Sequence, residues 1–371
     1  MFDQEGLAVG FLRLFLAISV VVAHAGPLMG YTFIGGVASV QIFFIISGFY
    51  MTLVLNKKYV GVRSNYLFFS NRFLRLFPIY IIVLLLSLLA SLLSGTLFGK
   101  WVFLKAYVNY FDVINGYTFL YLIATNILIF GQDVVMFMGF DPLTGAMFFT
   151  ENFKNSIPQM HSFLIIPQAW SIGVELLFYL VAPFLLRKKL RYILIFLIAS
   201  LFLRGVIYYC LDWMNDPWLY RFFPTELALF LLGSISFHFY EYLTNNQKWI
   251  GLQNYFIFSY LLLILSYPLI STETIDLIQI KNWTLYICTV VVIPYLFTAT
   301  KSSKIDNFIG ELSYPVYLIH VLMIFMLRAL KLEASLVPFA VVLSVIGGIV
   351  LVKYIDMPIE KYRQSRVSAI K

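Results

Sequence analysis

Apolar runs of bilayer-spanning length recur along almost the whole chain, and they leave few folds open to it. The bilayer core holds no water to satisfy backbone N–H and C=O groups, and a helix satisfies them within itself. About 20 consecutive apolar residues suffice for a helix to cross. Runs of that order occupy 7–25, 34–55, 76–95, 168–186, 192–211, 221–239, 252–270, 283–300, 312–330 and 335–353. A shorter eleventh run, 117–130, is followed by Gln132 and Asp133. Of the 371 residues, 61% are hydrophobic and only 12% are charged, whereas in soluble domains about a quarter are charged. The expected fold is therefore an all-α integral membrane protein. It is a polytopic bundle of about ten transmembrane helices with one partial or re-entrant segment.

Charge between the runs sets the expected orientation. Lys57, Lys58, Arg63, Arg72 and Arg75 follow the second run, and Arg187, Lys188, Lys189 and Arg191 follow the run at 168–186. Lys248, then Lys301 and Lys304, and finally Lys361, Arg363, Arg366 and Lys371 fall in later gaps or the tail. Lys and Arg accumulate on the cytoplasmic side. Ten crossings with both termini inside put all of them there, and a full crossing by 117–130 would put Arg187 to Arg191 outside. That segment is therefore read as partial or re-entrant, and 131–167 as an ordered or lid-like outer loop. The same rule explains the net charge of +8 without nucleic acid. Cys210 and Cys288 both sit in apolar runs and suggest neither a disulfide framework nor a metal site. Four scattered histidines without HExxH spacing give no zinc site, and there is no phosphate-binding loop or dinucleotide fingerprint. One membrane domain over 1–371 is expected, with no soluble domain at either end. The first run is read as a retained helix. Ala23-His24-Ala25 fits a cleavage pattern, but Asp3 and Glu5 precede the run and Arg13 interrupts it, the reverse of a signal peptide.

Ionisable residues inside such runs are costly and by default mark function. In the first run, His24 follows Arg13 by eleven positions. On a helix this puts them about 20° apart around the axis and about 16 Å apart along it. The chemical reading makes His24 a general base; the plain one is an interfacial His and a snorkelling Arg. Arg72 and Arg75, at i and i+3 before Pro78, suit polyphosphate, which guanidinium forks bind bidentately, or are ordinary positive-inside charge. Ser171, Glu175 and Tyr179 repeat at i+4, a polar stripe near the outer side at a depth similar to His24. Glu175 is functional there, or it is half of a structural ion pair with an arginine such as Arg204. Ser313, Tyr317 and His320 share another helix face, for packing or for chemistry. Ser47-Gly48 lets a backbone or ligand approach closely, and Gln41 is a buried amide.

Taken together, these stretches resemble acyltransferase family 3, membrane proteins that include bacterial O-acetyltransferases of O-antigens, exopolysaccharides and lipo-oligosaccharide signals. The resemblance runs in order over nearly the whole chain. It rests on Arg13-x10-His24, on FFIISGF from Phe43 to Phe49, and on Arg72-x-x-Arg75 with Pro78 and Tyr80. It continues through Trp170-Ser171, Glu175 and Phe178-Tyr179, and ends with Ser313-Tyr314, Tyr317-Leu318 and His320. One departure is Ser39-Val40-Gln41 where Gly-Val-Asp is commoner, so Gln41 receives no catalytic role. The esterase-like C-terminal domain that some members carry is not expected here.

The resemblance implies a reaction. Acyl-CoA, most simply acetyl-CoA, would be the cytoplasmic donor, its phosphates on Arg72 and Arg75 and its thioester reaching in past Arg13. His24 would deprotonate a hydroxyl of a carbohydrate or lipid-linked glycan arriving from the outer face, which would attack the thioester directly or receive a relayed acyl group, and Glu175 would orient His24 or contact the sugar. Ser47, Trp170, Ser171, Tyr179, Tyr314, Tyr317 and His320 would support the site, with Ser47 and Tyr314 as candidate oxyanion donors. No metal or resident cofactor is expected, and no nucleic acid. The membrane would be the bacterial inner one, and membrane lipids would be the remaining partners. The alternatives are a transporter or flippase for a lipid-linked glycan, and a sensor that keeps the fold without activity. The first conflicts with the lack of internal repeats, the second with the retained Arg13, His24, Arg72, Arg75 and Glu175.

Overall fold

A computed structural model describes residues 9–214, 216–246, 251–332 and 336–368. Asp3, Glu5, Lys248 and Lys371 of the sequence reading lie outside them. The described elements are helices α1 (Gly10–Ala25), α2 (Gly36–Lys57), α3 (Ser64–Phe98), α4 (Lys105–Tyr110) and α5 (Gly116–Leu128), then the hairpin β1 (Met138–Phe140) and β2 (Met147–Phe149). Helices α6 (Trp170–Leu185), α7 (Leu190–Tyr209), α8 (Phe223–Asn245), α9 (Gln253–Ser266), α10 (Ile275–Thr300), α11 (Lys304–Ala329), α12 (Leu336–Leu351) and α13 (Met357–Ser368) follow. Among the described residues, eight helical stretches are long and apolar enough to cross a membrane, and α1 and α5 are shorter apolar helices. The run at 252–270 becomes the 14-residue α9 followed by a 3-10 turn over Tyr267–Leu269.

The largest departure from the expected boundaries is α3. It begins at Ser64 and runs 35 residues through Pro78, so Arg72 and Arg75 lie within a helix rather than in a loop before one. Pro78 removes one backbone donor but does not end the helix. Prolines are tolerated in membrane helices because neighbouring groups re-satisfy the freed carbonyl.

Two compact units divide the chain, one formed by 1–71, 182–197 and 229–371, the other by 72–181 and 198–228. In the first, α1 packs on α2, α11 and α12. Ala17 and Val21 of α1 join Leu312, Val316, Ile324, Leu327, Leu336, Ala340 and Val352 in one buried cluster. The start of α1 is held by α10 and α11. Asp306 accepts hydrogen bonds from the backbone N–H of Gly10 (2.8 Å) and Phe11 (3.0 Å), and Thr300 accepts one from Val9 (2.9 Å). These are three of the donors that a helix start leaves unsatisfied. They fix Val9 in a left-handed backbone with φ of 63°, which a β-branched residue adopts only under constraint.

Small residues bring α2 and α8 into backbone contact. A Cβ on Gly48 would lie 1.8 Å from the carbonyl oxygen of Phe230, and one on Gly233 would lie 1.9 Å from that of Ile45. Ser47-Gly48 thus serves backbone approach, the first of its two expected uses. Basic residues at one end of this unit are tied down. Lys57 meets Glu241 at 2.7 Å, and Arg187 donates to Asn65 Oδ1 (2.5 Å) and to the Tyr59 carbonyl (2.9 Å). Arg366 donates to Ser70 (2.7 Å) and Asn71 (2.9 Å).

In the second unit the stretch from 131 to 167 has short elements of its own. It carries the antiparallel hairpin, with Met138 opposite Phe149 and Phe140 opposite Met147, and several 3-10 turns. Phe137 packs with Ile207, Tyr208, Trp218 and Leu219, and the Trp218 indole donates to the Glu151 carbonyl at 2.9 Å.

Candidate functional site

Two groupings of the expected residues emerge, one in each unit. The first is built by α1 and α11. Their close approach depends on Gly10, where a Cβ would sit 1.8 Å from the Asp306 carbonyl oxygen. At the far end of α1, His24 is exposed and meets the fully buried His320 of α11. Their rings are 5.0 Å apart, with His320 Nε2 3.3 Å from His24 Nδ1. Each ring is also tied to its own helix: His24 Nδ1 lies 2.9 Å from the Val20 carbonyl oxygen and His320 Nδ1 2.6 Å from that of Tyr317. The imidazole expected near a carboxylate therefore has a second imidazole as its partner. The resemblance has Glu175 either orient His24 or contact the sugar. Arg13, on the same helix, is buried. Ser313, Tyr317 and His320 share a face of α11 as the spacing predicts, Ser313 donating to the Gly310 carbonyl (2.8 Å) and Tyr317 stacking obliquely near His320 (5.9 Å). Tyr314 is half-buried on the same helix.

The second grouping joins α3 and α6. Glu175 accepts a hydrogen bond from the Tyr179 hydroxyl one turn on. The Arg72 guanidinium lies 5.9 Å from the centroid of the Tyr179 ring, and the charges of Glu175, Arg72 and Arg75 all act on that hydroxyl. The stripe read from i+4 spacing thus sets its phenol beside Arg72. Arg204, offered as an alternative partner for Glu175, instead forms a buried ion pair with Glu226 at 3.0 Å. Arg72 is buried and Arg75 half-buried. Ser171 donates to the Gln168 carbonyl (3.3 Å), one turn back on the same stripe.

Ser47 and Trp170 are the other expected residues. Ser47 is buried on α2, and Gln41 accepts from the buried Tyr286 hydroxyl. Trp170 lies under Arg221, whose guanidinium is 4.2 Å from the ring centroid and is held by Asp216 through two contacts of 2.6 and 2.8 Å. Sequence reasoning missed Arg221 and Asp216. The signal was there, since DPWLYR from Asp216 to Arg221 concentrates charge and aromatic rings in six residues. Nearby, burial lowers the pKa of His161; Arg221 adds to the effect and Asp216 opposes it.

Asp133 follows the short apolar run at 117–130. It is buried between α5 and the hairpin, with its Oδ1 3.1 Å from where a Cβ on Gly173 would stand. Burial pushes its carboxyl up to about 6, against the lowering effect of the backbone N–H groups of Asp133 and Val134. Among the described residues, no group of three His, Cys, Asp or Glu side chains is placed to hold a metal ion.

The sequence profile of the family described as Acyltransferase domain matches residues 7–355. Nodulation protein 10 of Rhizobium leguminosarum bv. viciae is 28% identical over 185 residues, covering 47% of this chain and 42% of that protein. The chain thus spans less than half the length of this relative. No solved structure matches it.

Proposed function

The chain belongs to acyltransferase family 3, whose profile spans nearly all of it, and from that premise we propose that this membrane acyltransferase moves an acetyl group from acetyl-CoA to a hydroxyl of a surface or lipid-linked glycan. The observation that carries the proposal is His24, an exposed imidazole at the end of a buried membrane helix whose ring is held on one side. The step is a direct transfer. His24 takes the proton of the acceptor hydroxyl as its oxygen bonds to the acyl carbon. The C–S bond breaks, the thiolate leaves with the electron pair, and His24 returns the proton to it. The products are the acyl ester and CoA thiol. A positioned general base contributes about 10²–10⁴-fold.

Donor binding falls to Arg75 and Arg72. Arg75, half-buried, meets the phosphates; Arg72, beneath Tyr179, is fixed by the Glu175–Tyr179 pair. Glu175 is accordingly a positioning residue for the arginines. The protein sits in the bacterial inner membrane with both termini in the cytoplasm, so that the basic ends of α2 and α13 and Arg187 face the nucleotide donor, in keeping with the positive-inside rule.

The test is a mass spectrum of cell-surface glycans from cells with the wild-type protein, with His24→Ala and with none. A species heavier by one acetyl group in place of a hydrogen appears only with wild type, while His24→Ala reaches the membrane in equal amount. Equal acetylation by His24→Ala removes His24 from the chemistry. An identical glycan profile with and without the wild-type protein removes the glycan acceptor.

A further inference from the structure

Hydrogen-bond donors and acceptors around His24 and His320 can be assigned in only one way. A carbonyl oxygen accepts and never donates. The Val20 carbonyl lies 2.9 Å from His24 Nδ1, so His24 carries its hydrogen on Nδ1. The Tyr317 carbonyl lies 2.6 Å from His320 Nδ1, so His320 carries its hydrogen there too. A neutral ring holds one N–H and one bare nitrogen. The bare nitrogen of His320 is Nε2, which lies 3.3 Å from His24 Nδ1. The His24 N–H is therefore shared between the Val20 carbonyl and His320 Nε2. A second proton on His320 would set two N–H groups against each other across that contact. No carboxylate bonds to His24 among the described residues, and its Nε2 makes no hydrogen bond there.

We infer that His320 is a positioning residue that locks His24 in the tautomer with a bare, basic Nε2, and that Nε2 is the atom receiving the acceptor hydroxyl proton. This inference rests on the reading of His24 as the base. The tautomer of a catalytic histidine is set by the bond its other nitrogen makes, and here that bond has two acceptors, one from each of two packed helices. When Nε2 takes the proton, positive charge spreads over the ring and strengthens the Nδ1–H bonds to Val20 and His320. His320 thus favours the charged ring in the transition state with a dipole rather than a charge, which avoids burying a carboxylate inside the bundle. The i, i+4, i+7 face of α11 gains a purpose: Ser313 and Tyr317 pack the helix, and Tyr317 supplies the carbonyl that orients His320.

The experiment uses the full chain in lipid nanodiscs. Its four histidines make a nitrogen-15 spectrum of histidine-labelled protein tractable, and the signal lost in His24→Ala identifies His24. The expected spectrum shows His24 protonated at Nδ1 with Nε2 bare; protonation at Nε2 overturns the inference. Kinetics follow CoA thiol release from acetyl-CoA, with surface glycan extracted from cells lacking the protein as acceptor. His320→Leu lowers kcat about ten- to a hundredfold, part of what a general base supplies, and leaves KM for acetyl-CoA unchanged. His320→Gln, whose amide oxygen can accept at the same place, stays within about threefold of wild type by the same measure. If His24→Ala is inactive but His320→Leu turns over like wild type, the positioning role falls and the base stands. If His24→Ala is active, the base falls with it. Should His320→Leu fail to fold, the wild-type spectrum and the His320→Gln rate decide alone.

Discussion

At Asp133 a carboxyl sits 3% exposed with one oxygen, Oδ1, that has no hydrogen-bond partner among the described residues. The consequence can be worked out from proton binding. An unfolded aspartate loses its proton near 3.8, and the folded one near 6. Between these values the folded state binds more protons, so this group makes stability fall as pH rises from about 4 to about 6, and above that its full cost remains. Roughly two pH units at about 1.4 kcal/mol each put that cost at about 3 kcal/mol. Asp133→Asn, which has no charge to bury, raises the thermal midpoint at pH 8, and the gain vanishes near pH 4. A gain of the same size at both pH values means that ionisation is not its cause. Asp133 was visible in the sequence only as a polar residue after a short apolar run. Its burial depends on Gly173 of α6, about forty residues on, which no local pattern announces.

At the scale of elements, α1 shows how a helix with the proposed base at one end is fixed at the other. Asp306 occupies the start of α1 with both carboxylate oxygens, where the helix macrodipole favours negative charge, and its own N–H is capped by Ser303 at 3.2 Å. Asp306→Ala costs about 1–2 kcal/mol, as lost caps do, and lowers the thermal midpoint in detergent. Asp306→Asn keeps one acceptor and recovers about half by the same rule. Because α1 holds His24 against α11, the alanine variant also loses acyl transfer more steeply than stability alone accounts for. Equal midpoints for Asp306→Ala and wild type sink this account. The sequence reading placed α1 within a few residues of its observed bounds because its apolar length is local information. It misplaced the start of α3 by about a dozen residues because the polar first turns, SNYLFFSNRF, do not meet an apolar-run criterion. They are helical in a setting where Asn71 bonds to Tyr59 and Arg366.

For the molecule as a whole, burial sorts the helices by neighbourhood. Helix α2 is almost wholly enclosed by protein, whereas α7 turns most of its apolar surface outward, as a lipid-facing helix does. The two cysteines report orientation without any engineering. Cys210, exposed at the end of α7, and Cys288, part-buried in α10, differ in access to water. With cytoplasmic termini, a membrane-impermeant maleimide applied to spheroplasts labels Cys210 and leaves Cys288 unlabelled. Labelling of Cys210 only after permeabilisation inverts the proposed orientation.

By itself the sequence determined the class of fold and the family. Apolar length, Arg and Lys placement, and motifs such as Arg13-x10-His24 are properties of single stretches, and the free energy of taking residues out of water acts on each stretch separately. It also determined which residues share a helix face, since that follows from 3.6 residues per turn. Only the tertiary structure decided which faces meet. His320 partners His24, Tyr179 donates to Glu175, and Arg204 takes Glu226. Each choice depends on the packing of helices distant in sequence, set by small residues such as Gly10, Gly48 and Gly173 that let two backbones approach, and by the need to satisfy every buried polar atom. Neither is a local property, so neither could be read from the order of residues.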